Sequence, residues 1–246
     1  MKIIECSGTP LEIGKAVGES LREEIRYNLE KLIKETDRKA FSDRLPIFYK
    51  VLQTCLPDIL DEIRGMAYGA NLPVDDIMML NVEKYPDEIN QEFCTNIVFM
   101  DGPDGPIWGK NNDGNGPPHT IPCIKKVRPK KGIPLVVFTF CGMVSTTDGM
   151  NAEGLAVGHS SVGSVFQQSD YHQNIRLWAY NALMKCRNTK EFIRKMTEVP
   201  LRGKGYSHVC VDRNGFACSL EAACPIVQVR VPNNKNGINC VNHYQL

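Results

Sequence analysis

Glu92-Phe93-Cys94-Thr95-Asn96-Ile97-Val98-Phe99 is the stretch that decides the fold, because here a long helical N-terminal segment gives way to a strand-like run. A cut before Cys94 would turn this residue into a new N-terminus. It would then supply both a thiol nucleophile and a free α-amine as its base, so no separate histidine would be needed. A lone cysteine at a strand start is most often a small buried hydrophobic residue, and the rest of the chain must decide between the two interpretations.

Length and composition indicate a globular protein of one large domain or two closely associated halves. The chain has 246 residues, of which 42% are hydrophobic, and this is enough for a substantial core. A net charge of +1 gives no electrostatic reason to expect nucleic acid, an anionic membrane or an acidic partner. The one basic cluster, residues 125–131, lacks interleaved aromatic residues, and we interpret it as a solvated loop.

The N-terminus and the cysteines bear on the cellular compartment. No long apolar stretch follows Met1, and the longest apolar run, residues 134–144, is too short to span a bilayer. Ten cysteines are scattered over a chain large enough to fold without disulfides, and no Asn-x-Ser/Thr sequon occurs. We therefore predict a soluble, cytoplasmic protein with reduced thiols.

The first third of the chain has helical periodicity. Thr9-Pro10-Leu11-Glu12 combines an N-cap, a proline at the first helical position and a glutamate three residues after the cap. Apolar residues then recur at three- and four-residue intervals to about Lys39. Further helices are predicted at residues 45–56, from Pro57 to Gly69 and at residues 73–81.

From Cys94 onwards the periodicity is mostly that of strands. A turn at Gly102-Pro103-Asp104-Gly105 separates residues 94–101 from residues 107–113 and predicts a hairpin. The other predicted strands are residues 134–141, 144–148, 155–160, 206–212, 216–221, 226–231 and 238–241. Two helices are predicted between them, at residues 174–186 and 189–197. This order indicates an α+β fold in which helices cover stacked antiparallel sheets.

Five segments of this chain, in this order and spacing, carry a resemblance to a known family: Gly8-Thr9-Pro10-Leu11-Glu12-Ile13-Gly14; Gly65-Met66-Ala67-Tyr68-Gly69-Ala70 with Leu80-Asn81; Cys94-Thr95 with Gly109-Lys110-Asn111-Asn112-Asp113; Gly149-Met150-Asn151-Ala152-Glu153-Gly154-Leu155-Ala156; and Asn242-His243-Tyr244. Together they resemble the acyl-CoA:6-aminopenicillanate acyltransferase family of the N-terminal nucleophile (Ntn) hydrolase superfamily. A more distant likeness is to bile salt hydrolase, acid ceramidase and N-acylethanolamine acid amidase.

The resemblance implies an Ntn-type αββα four-layer sandwich with a helical N-terminal segment. Residues 1–93 would become a small subunit after self-cleavage between Phe93 and Cys94, and residues 94–246 would form the catalytic segment. Relatives continue well beyond the Asn-His-Tyr block and carry a substrate-binding arginine there, so we expect the sandwich to be truncated at its C-terminus. An exposed sheet edge would then favour a homo-oligomer.

The resemblance also implies site residues. Cys94 would be the nucleophile, Asp113 would orient its α-amine, and Asn242 and Asn151 would stabilise the oxyanion. Thr95, together with Asp113, would help to shape the substrate site. The alternative for Asp113 and Asn151 is an ordinary turn residue.

Lys110 stands where the bile salt hydrolase and acid ceramidase relatives carry arginine. A cation there would lower the pKa of the Cys94 thiol, although lysine lacks the two-pronged hydrogen bonding of arginine. The alternative is an exposed lysine in a hairpin.

The implied function is that of an autoproteolytic N-terminal-cysteine amidohydrolase or acyltransferase that works through a thioester. Its substrate would be a small-molecule amide or acyl donor, without nucleic acid, membrane, metal or cofactor. A catalytically inactive Ntn-fold scaffold or binding protein is the alternative of a different class. A papain-like pair of Cys94 with His159 or His208 also stays open, whereas the absence of Cys-x-x-Cys and His-Glu-x-x-His disfavours a zinc site.

Overall fold

The computed structural model describes residues 1–82, 93–113, 120–233 and 236–245. The chain forms two compact units, Met1–Glu83 with Pro118–Thr146 and Lys84–Pro117 with Thr147–Leu246, which we call unit 1 and unit 2. These units reflect packing in the uncut chain. The division at Cys94 into two subunits depends on cleavage and stays a prediction.

The helices of the described residues lie in both units. Those of unit 1 are α1 (Pro10–Ser20), α2 (Arg22–Leu32), α3 (Glu35–Ser42), α4 (Leu45–Cys55), α5 (Pro57–Ala70) and α6 (Val74–Asn81). Those of unit 2 are α7 (Ile175–Lys185) and α8 (Thr189–Thr197). No helix among the described residues combines the length and the apolar character that a membrane crossing requires.

The strands are numbered along the chain. They are β1 (Lys2–Gly8), β2 (Phe93–Phe99), β3 (Ile107–Asp113), β4 (Pro122–Pro129), β5 (Leu135–Phe140), β6 (Asp148–Asn151), β7 (Ala156–Ser161), β8 (Gln173–Asn174), β9 (Leu201–Arg202), β10 (Tyr206–Val211), β11 (Ala217–Ala222), β12 (Val227–Arg230) and β13 (Gly237–Cys240). Strands β1, β4 and β5 belong to unit 1 and the others to unit 2.

Helix α1 begins as the sequence predicts. The Thr9 hydroxyl accepts the Glu12 N–H at 3.3 Å, and the Glu12 carboxylate accepts the Thr9 N–H at 2.8 Å, so this capping box satisfies two N–H groups at the helix start. The apolar periodicity to about Lys39 predicts one helix, whereas the chain breaks at Leu21 and again at residues 33–34 and so forms three.

Glycines bring helices α1 and α5 together at backbone contact. A Cβ on Gly14 would lie 2.0 Å from the Glu62 carbonyl oxygen, and one on Gly65 would lie 2.1 Å from the Leu11 carbonyl oxygen. Gly18 and Gly69 repeat this one turn further along, with separations of 2.3 Å and 2.2 Å. Two of the family-like segments therefore meet at this crossing, where any side chain would collide with backbone.

The sheet of unit 1 corrects two predictions. Strand β1 pairs with β4 in parallel, although residues 1–93 were predicted to be helical, and β4 lies where the basic cluster was interpreted as a solvated loop. Lys125 of that cluster is fully buried and donates to Glu62 at 2.7 Å. Single-sequence patterns miss such a strand because a buried lysine needs a counter-charge that only the fold supplies.

Unit 2 is layered. Its larger sheet has the order β6-β7-β10-β11-β12, and a smaller antiparallel sheet has the order β13-β2-β3. Strands β7, β10 and β11 are buried at every position, because the small sheet covers one face and helices α7 and α8 cover the other. The core between the sheets includes Val98, Val209, Val211, Ile238 and Cys240. This mixed α+β architecture confirms the predicted fold class.

Most element predictions after Cys94 are confirmed, including the β2–β3 hairpin, helices α7 and α8, and the final strands. The predicted strand at residues 144–148 is wrong, since β6 runs from Asp148 to Asn151. Thr147 takes a φ of 75°, which is incompatible with a strand passing through it.

The glycine contacts generate the first prediction. Gly14→Ala and Gly65→Ala should each lower the free energy of unfolding by about 1–3 kcal/mol, because overpacking outweighs the helix propensity that alanine gains. Gly109→Ala is the control, since the nearest atom to its added Cβ is 4.0 Å away. Urea unfolding would measure all three variants, and equal stabilities for the helical variants and the wild type would contradict this packing.

Candidate functional site

Cys94 lies at the start of β2 with its side chain on the inner face of the small sheet. Along this strand Cys94, Asn96 and Val98 are buried, whereas Thr95 and Phe99 are exposed. The alternation follows from the two-residue period of a strand, one face of which packs on the larger sheet. Thr95 therefore lies on the outer face, away from the Cys94 side chain.

Asn242 contacts the backbone nitrogen of Cys94. The Cys94 N–H donates to Asn242 Oδ1 at 2.6 Å, and Asn242 Nδ2 donates to the Ser161 carbonyl oxygen at 2.5 Å. A backbone N–H can only donate and a carbonyl oxygen can only accept, so these partners determine which way the amide points. Two segments far apart in sequence thus meet at the peptide unit that joins Phe93 to Cys94.

The Cys94 thiol faces Asn112, a residue that sequence reasoning did not select. Sγ donates to Asn112 Oδ1 at 3.5 Å, and the two residues lie opposite each other in the β2–β3 ladder. Directly opposed residues share a face of a sheet. The sequence could not give this register, because the segment between the two strands is too long for a tight turn to define it.

Asp113, by contrast, lies opposite Phe93 at the end of the ladder and is exposed. Its side chain has no hydrogen-bond or ion-pair partner among the described residues, and Gly114, beside which the alternative interpretation makes Asp113 a turn-capping residue, lies outside them. The structure therefore brings Asp113 alongside Phe93, the residue whose bond to Cys94 would be cut. It places Asn112, and not Asp113, against the thiol.

The Lys110 side chain is only 6% exposed, unlike that of the exposed hairpin lysine in the alternative interpretation. Its ammonium group lies 2.7 Å from Asp148 Oδ2 and 3.2 Å from His159 Nδ1. Asp148 Oδ1 also accepts the His159 backbone N–H at 2.9 Å and lies 3.0 Å from Nδ1 of the same residue. Burial alone would raise the pKa of Asp148, but the neighbouring His159 and Lys110 charges outweigh burial and hold this pKa well below its usual range.

Asn96 and Gly158 fit the small sheet onto β7. Asn96 Nδ2 donates to the His159 carbonyl oxygen and to Ser160 Oγ, each at 2.8 Å. A Cβ on Gly158 would lie 2.3 Å from Asn96 Oδ1 and 2.4 Å from the Trp108 ring. The absence of a side chain at Gly158 therefore allows these two residues to approach the strand.

Asn151 does not belong to this arrangement. Its Nδ2 donates to the carbonyl oxygens of Leu183 and Cys186, each at 2.8 Å, and its Oδ1 accepts the N–H groups of Glu153 and Leu155. Both amide hydrogens are used, so none is left for an oxyanion. The predicted donor role is corrected to the alternative, a turn residue, which here also satisfies carbonyls at the end of α7.

The two histidines of the papain-like alternative lie in the same buried region. His208 is fully buried, and its Nε2 lies 3.4 Å from Thr147 Oγ1. Burial and the nearby His159 and Lys110 charges lower the pKa of His208 to about 3, so the ring is neutral at physiological pH. Within the described ranges no three His, Cys, Asp or Glu side chains are grouped to hold a metal ion.

Residues 100–246 match the family model of acyl-coenzyme A:6-aminopenicillanic acid acyl-transferase. The chain belongs to this family. The match covers more than half of the chain. It begins after Cys94 and includes Lys110, Asp148, His159 and Asn242. The family prediction made from the sequence motifs is confirmed.

Three solved structures resemble part of this chain, and the first of them supports the fold. An N-acylethanolamine-hydrolyzing acid amidase ortholog from Caenorhabditis elegans has a TM-score of 0.50 at 13% identity, over 62% of this chain and 71% of that chain. Penicillin V acylase from Agrobacterium tumefaciens gives 0.37 at 19% identity, over 58% of this chain and 43% of that chain. A conjugated bile acid hydrolase from Clostridium perfringens gives 0.42 at 14% identity, over 57% and 51%. This chain spans less than two thirds of the penicillin V acylase and bile acid hydrolase chains.

The low pKa of His208 generates the second prediction. A histidine in an unfolded chain has a pKa near 6.5, so below this pH the unfolded chain binds a proton at His208 that the folded chain does not bind. His208 should therefore favour unfolding progressively as the pH falls from about 6.5 towards 4, by up to about 1.4 kcal/mol per pH unit.

Urea unfolding of the wild type and His208→Gln at several pH values would measure this slope. The variant should be less stable at pH 7 but should lose less stability on acidification. His243→Gln, which alters an exposed ring, should keep the wild-type slope. Parallel curves for the wild type and His208→Gln would show that His208 does not cause the acid lability.

Proposed function

We propose that the chain cuts its own peptide bond between Phe93 and Cys94 and then uses Cys94 to break an amide through a thioester. The observation that carries this proposal is the buried Cys94 at a strand start, with its backbone nitrogen held by Asn242 at 2.6 Å. Membership of an acyl-transferase family supports the same chemistry.

The first reaction moves an acyl group from nitrogen to sulfur. Cys94 Sγ adds to the carbonyl carbon of Phe93, the bond from this carbon to the Cys94 nitrogen breaks, and the nitrogen takes up the thiol proton. Water then hydrolyses the thioester, which leaves a carboxylate on Phe93 and a free thiol and α-amine on Cys94. Asn242 Oδ1, which accepts the N–H before the cut, would accept an N–H of this amine afterwards.

The second reaction uses the new N-terminus. The α-amine takes the thiol proton as Sγ attacks the carbonyl carbon of a substrate amide, and the leaving amine receives that proton. Asn242 Nδ2 carries two hydrogens, and the one that is not directed to Ser161 is the candidate oxyanion donor. The acyl group then passes from sulfur to water or to an acceptor amine.

We assign supporting roles to three residues of the hairpin. Asp113 lies opposite Phe93. Once the peptide bond between Phe93 and Cys94 is cut, Asp113 would contact the new α-amine of Cys94. Lys110 would supply positive charge on the same face as the thiol. Thr95, on the exposed outer face, would help to shape the rim of the site.

The substrate is proposed to be a small-molecule amide or acyl donor. The family name describes acyl transfer to an amine, and the name of the amidase ortholog describes hydrolysis of N-acylethanolamines. We propose a cytoplasmic location, which is supported by ten cysteines that are all free thiols. The predicted homo-oligomer and the small subunit of residues 1–93 remain parts of this proposal.

Intact-mass measurement tests the cleavage. Purified wild type should yield one fragment that ends at Phe93 and one that starts at Cys94, whereas Cys94→Ala should stay one chain because it lacks the nucleophile. Cys94→Ser should cleave slowly, since a hydroxyl is the poorer nucleophile. Cys55→Ala, which alters an exposed thiol, should cleave like the wild type.

A wild-type chain that stays intact through prolonged incubation would reject the proposal and favour an inactive scaffold. Cleavage in Cys94→Ala would instead point to a contaminating protease.

Asn242 provides a second test. Asn242→Ala should slow self-cleavage at least tenfold, because the scissile amide loses its hydrogen-bond partner and the oxyanion loses a donor. Asn239→Ala, an exposed asparagine on β13, is the matched control and should cleave normally. The rates would be followed by mass spectrometry of freshly refolded protein, and equal rates for the two variants would remove Asn242 from the mechanism.

A further inference from the structure

Three ionisable side chains from three strands meet in the interior of unit 2. Lys110 of β3, Asp148 of β6 and His159 of β7 have side chains that are 6%, 3% and 9% exposed. The Lys110 ammonium group lies 2.7 Å from Asp148 Oδ2 and 3.2 Å from His159 Nδ1. Neither Asp148 nor His159 has a role in the reaction proposed above.

The backbone holds the Asp148 carboxylate in place. Its Oδ1 accepts the His159 N–H at 2.9 Å, so the carboxylate is tied to β7 on one side and to Lys110 on the other. An ammonium group in such a site needs a counter-charge, because burial without one is strongly unfavourable. Asp148 therefore supplies the counter-charge of Lys110 and determines where the ammonium group lies.

The position of this charge relative to the thiol follows from the ladder. Cys94 pairs with Asn112 and Asn96 pairs with Lys110, so Cys94 and Lys110 lie on one face, two residues apart along the strands. Two residues of a strand span about 7 Å. A lone cation at that separation would favour a thiolate, whereas a carboxylate beside the cation cancels part of its field.

We propose that Asp148, anchored by His159, is a positioning residue that holds Lys110 and sets how much of its positive charge acts on Cys94. The inference rests on the proposed role of Cys94 as nucleophile. It assigns to Asp148 a control over nucleophile strength that is separate from any role in folding.

Other titratable groups near these strands carry little charge or face elsewhere. His208 on β10 is neutral because burial lowers its pKa to about 3, and burial raises the pKa of the Cys240 thiol on β13 to about 11. Asp113 is exposed at the end of β3, on the outer face. Glu221 of β11 and Arg230 of β12 lie 3.0 Å apart and offset each other's charge, so Lys110 and Asp148 are the charged pair that the ladder places nearest to Cys94.

The test is a direct titration of the Cys94 thiol by NMR with ¹³C-labelled cysteine, which needs neither turnover nor access of a reagent to the buried sulfur. The Cys94 signal is identified by its loss in Cys94→Ser. Each variant is compared in the same form, cut or uncut, as checked by intact mass. Lys126→Gln, which removes an exposed lysine of unit 1, is the control and should leave the Cys94 pKa unchanged.

The two single variants should shift the Cys94 pKa in opposite directions. Asp148→Asn should lower the Cys94 pKa by about one unit, because Lys110 loses its counter-charge, and Lys110→Gln should raise it by about one unit. The double variant Lys110→Gln/Asp148→Asn should return to within ~0.3 units of the wild type. A merely structural role would leave the pKa unchanged or move it in the same direction in both single variants, and either result would overturn the proposal.

Two further outcomes are separated by this design. If Asp148→Asn does not fold, Lys110→Gln and the double variant still differ by the Asp148 charge. A lower Cys94 pKa in the double variant than in Lys110→Gln supports the proposal, and equal Cys94 pKa values reject it. If the wild type fails to cut itself, the proposed function fails, yet the titration still decides whether Asp148 controls the field at Cys94.

Discussion

The close fit of the β2–β3 hairpin on strand β7 is the constraint on which the candidate site depends. Gly158 has no side chain, so Trp108 and Asn96 of the hairpin reach strand β7. The Asn96 amide donates hydrogen bonds to His159 and Ser160, the two residues that follow Gly158. One residue further along, the Ser161 carbonyl oxygen accepts from Asn242. Four consecutive residues of one strand thus align the hairpin that carries Cys94 and the segment that contacts the Cys94 nitrogen. A shift by one residue would turn the thiol to the solvent-exposed face.

In each unit a buried lysine lies beside an opposite charge. Lys125 lies against Glu62 in unit 1, and Lys110 lies against Asp148 in unit 2, each at 2.7 Å. Burying such pairs costs desolvation energy that their attraction offsets only when the geometry is good. They therefore contribute less to net stability than to a unique arrangement of strands. At Lys110 the same pair also places charge on the face that holds the nucleophile.

The fold class was accessible from local patterns. The capping box at Thr9, the apolar periodicities and the Gly102–Gly105 turn predicted most helices and the central hairpin, because each depends on residues adjacent in sequence. Strand β4 was missed, because its lysines look solvated until Glu62 is brought to Lys125. Asn151 was misassigned, because nothing in Gly149–Gly154 reveals that both its amide hydrogens bind the end of α7.

The sequence by itself determined the family, the nucleophile candidate and most of the elements after Cys94, since motifs and periodicity are properties of a linear chain. Only the tertiary structure decided which neighbours Cys94 has: Asn112 at the thiol, Asn242 at the backbone nitrogen, and Lys110 with a counter-charge. Strand register and contacts between distant segments make that choice, and both arise from packing of whole sheets. A hydrogen bond between residues 148 positions apart leaves no trace in local spacing.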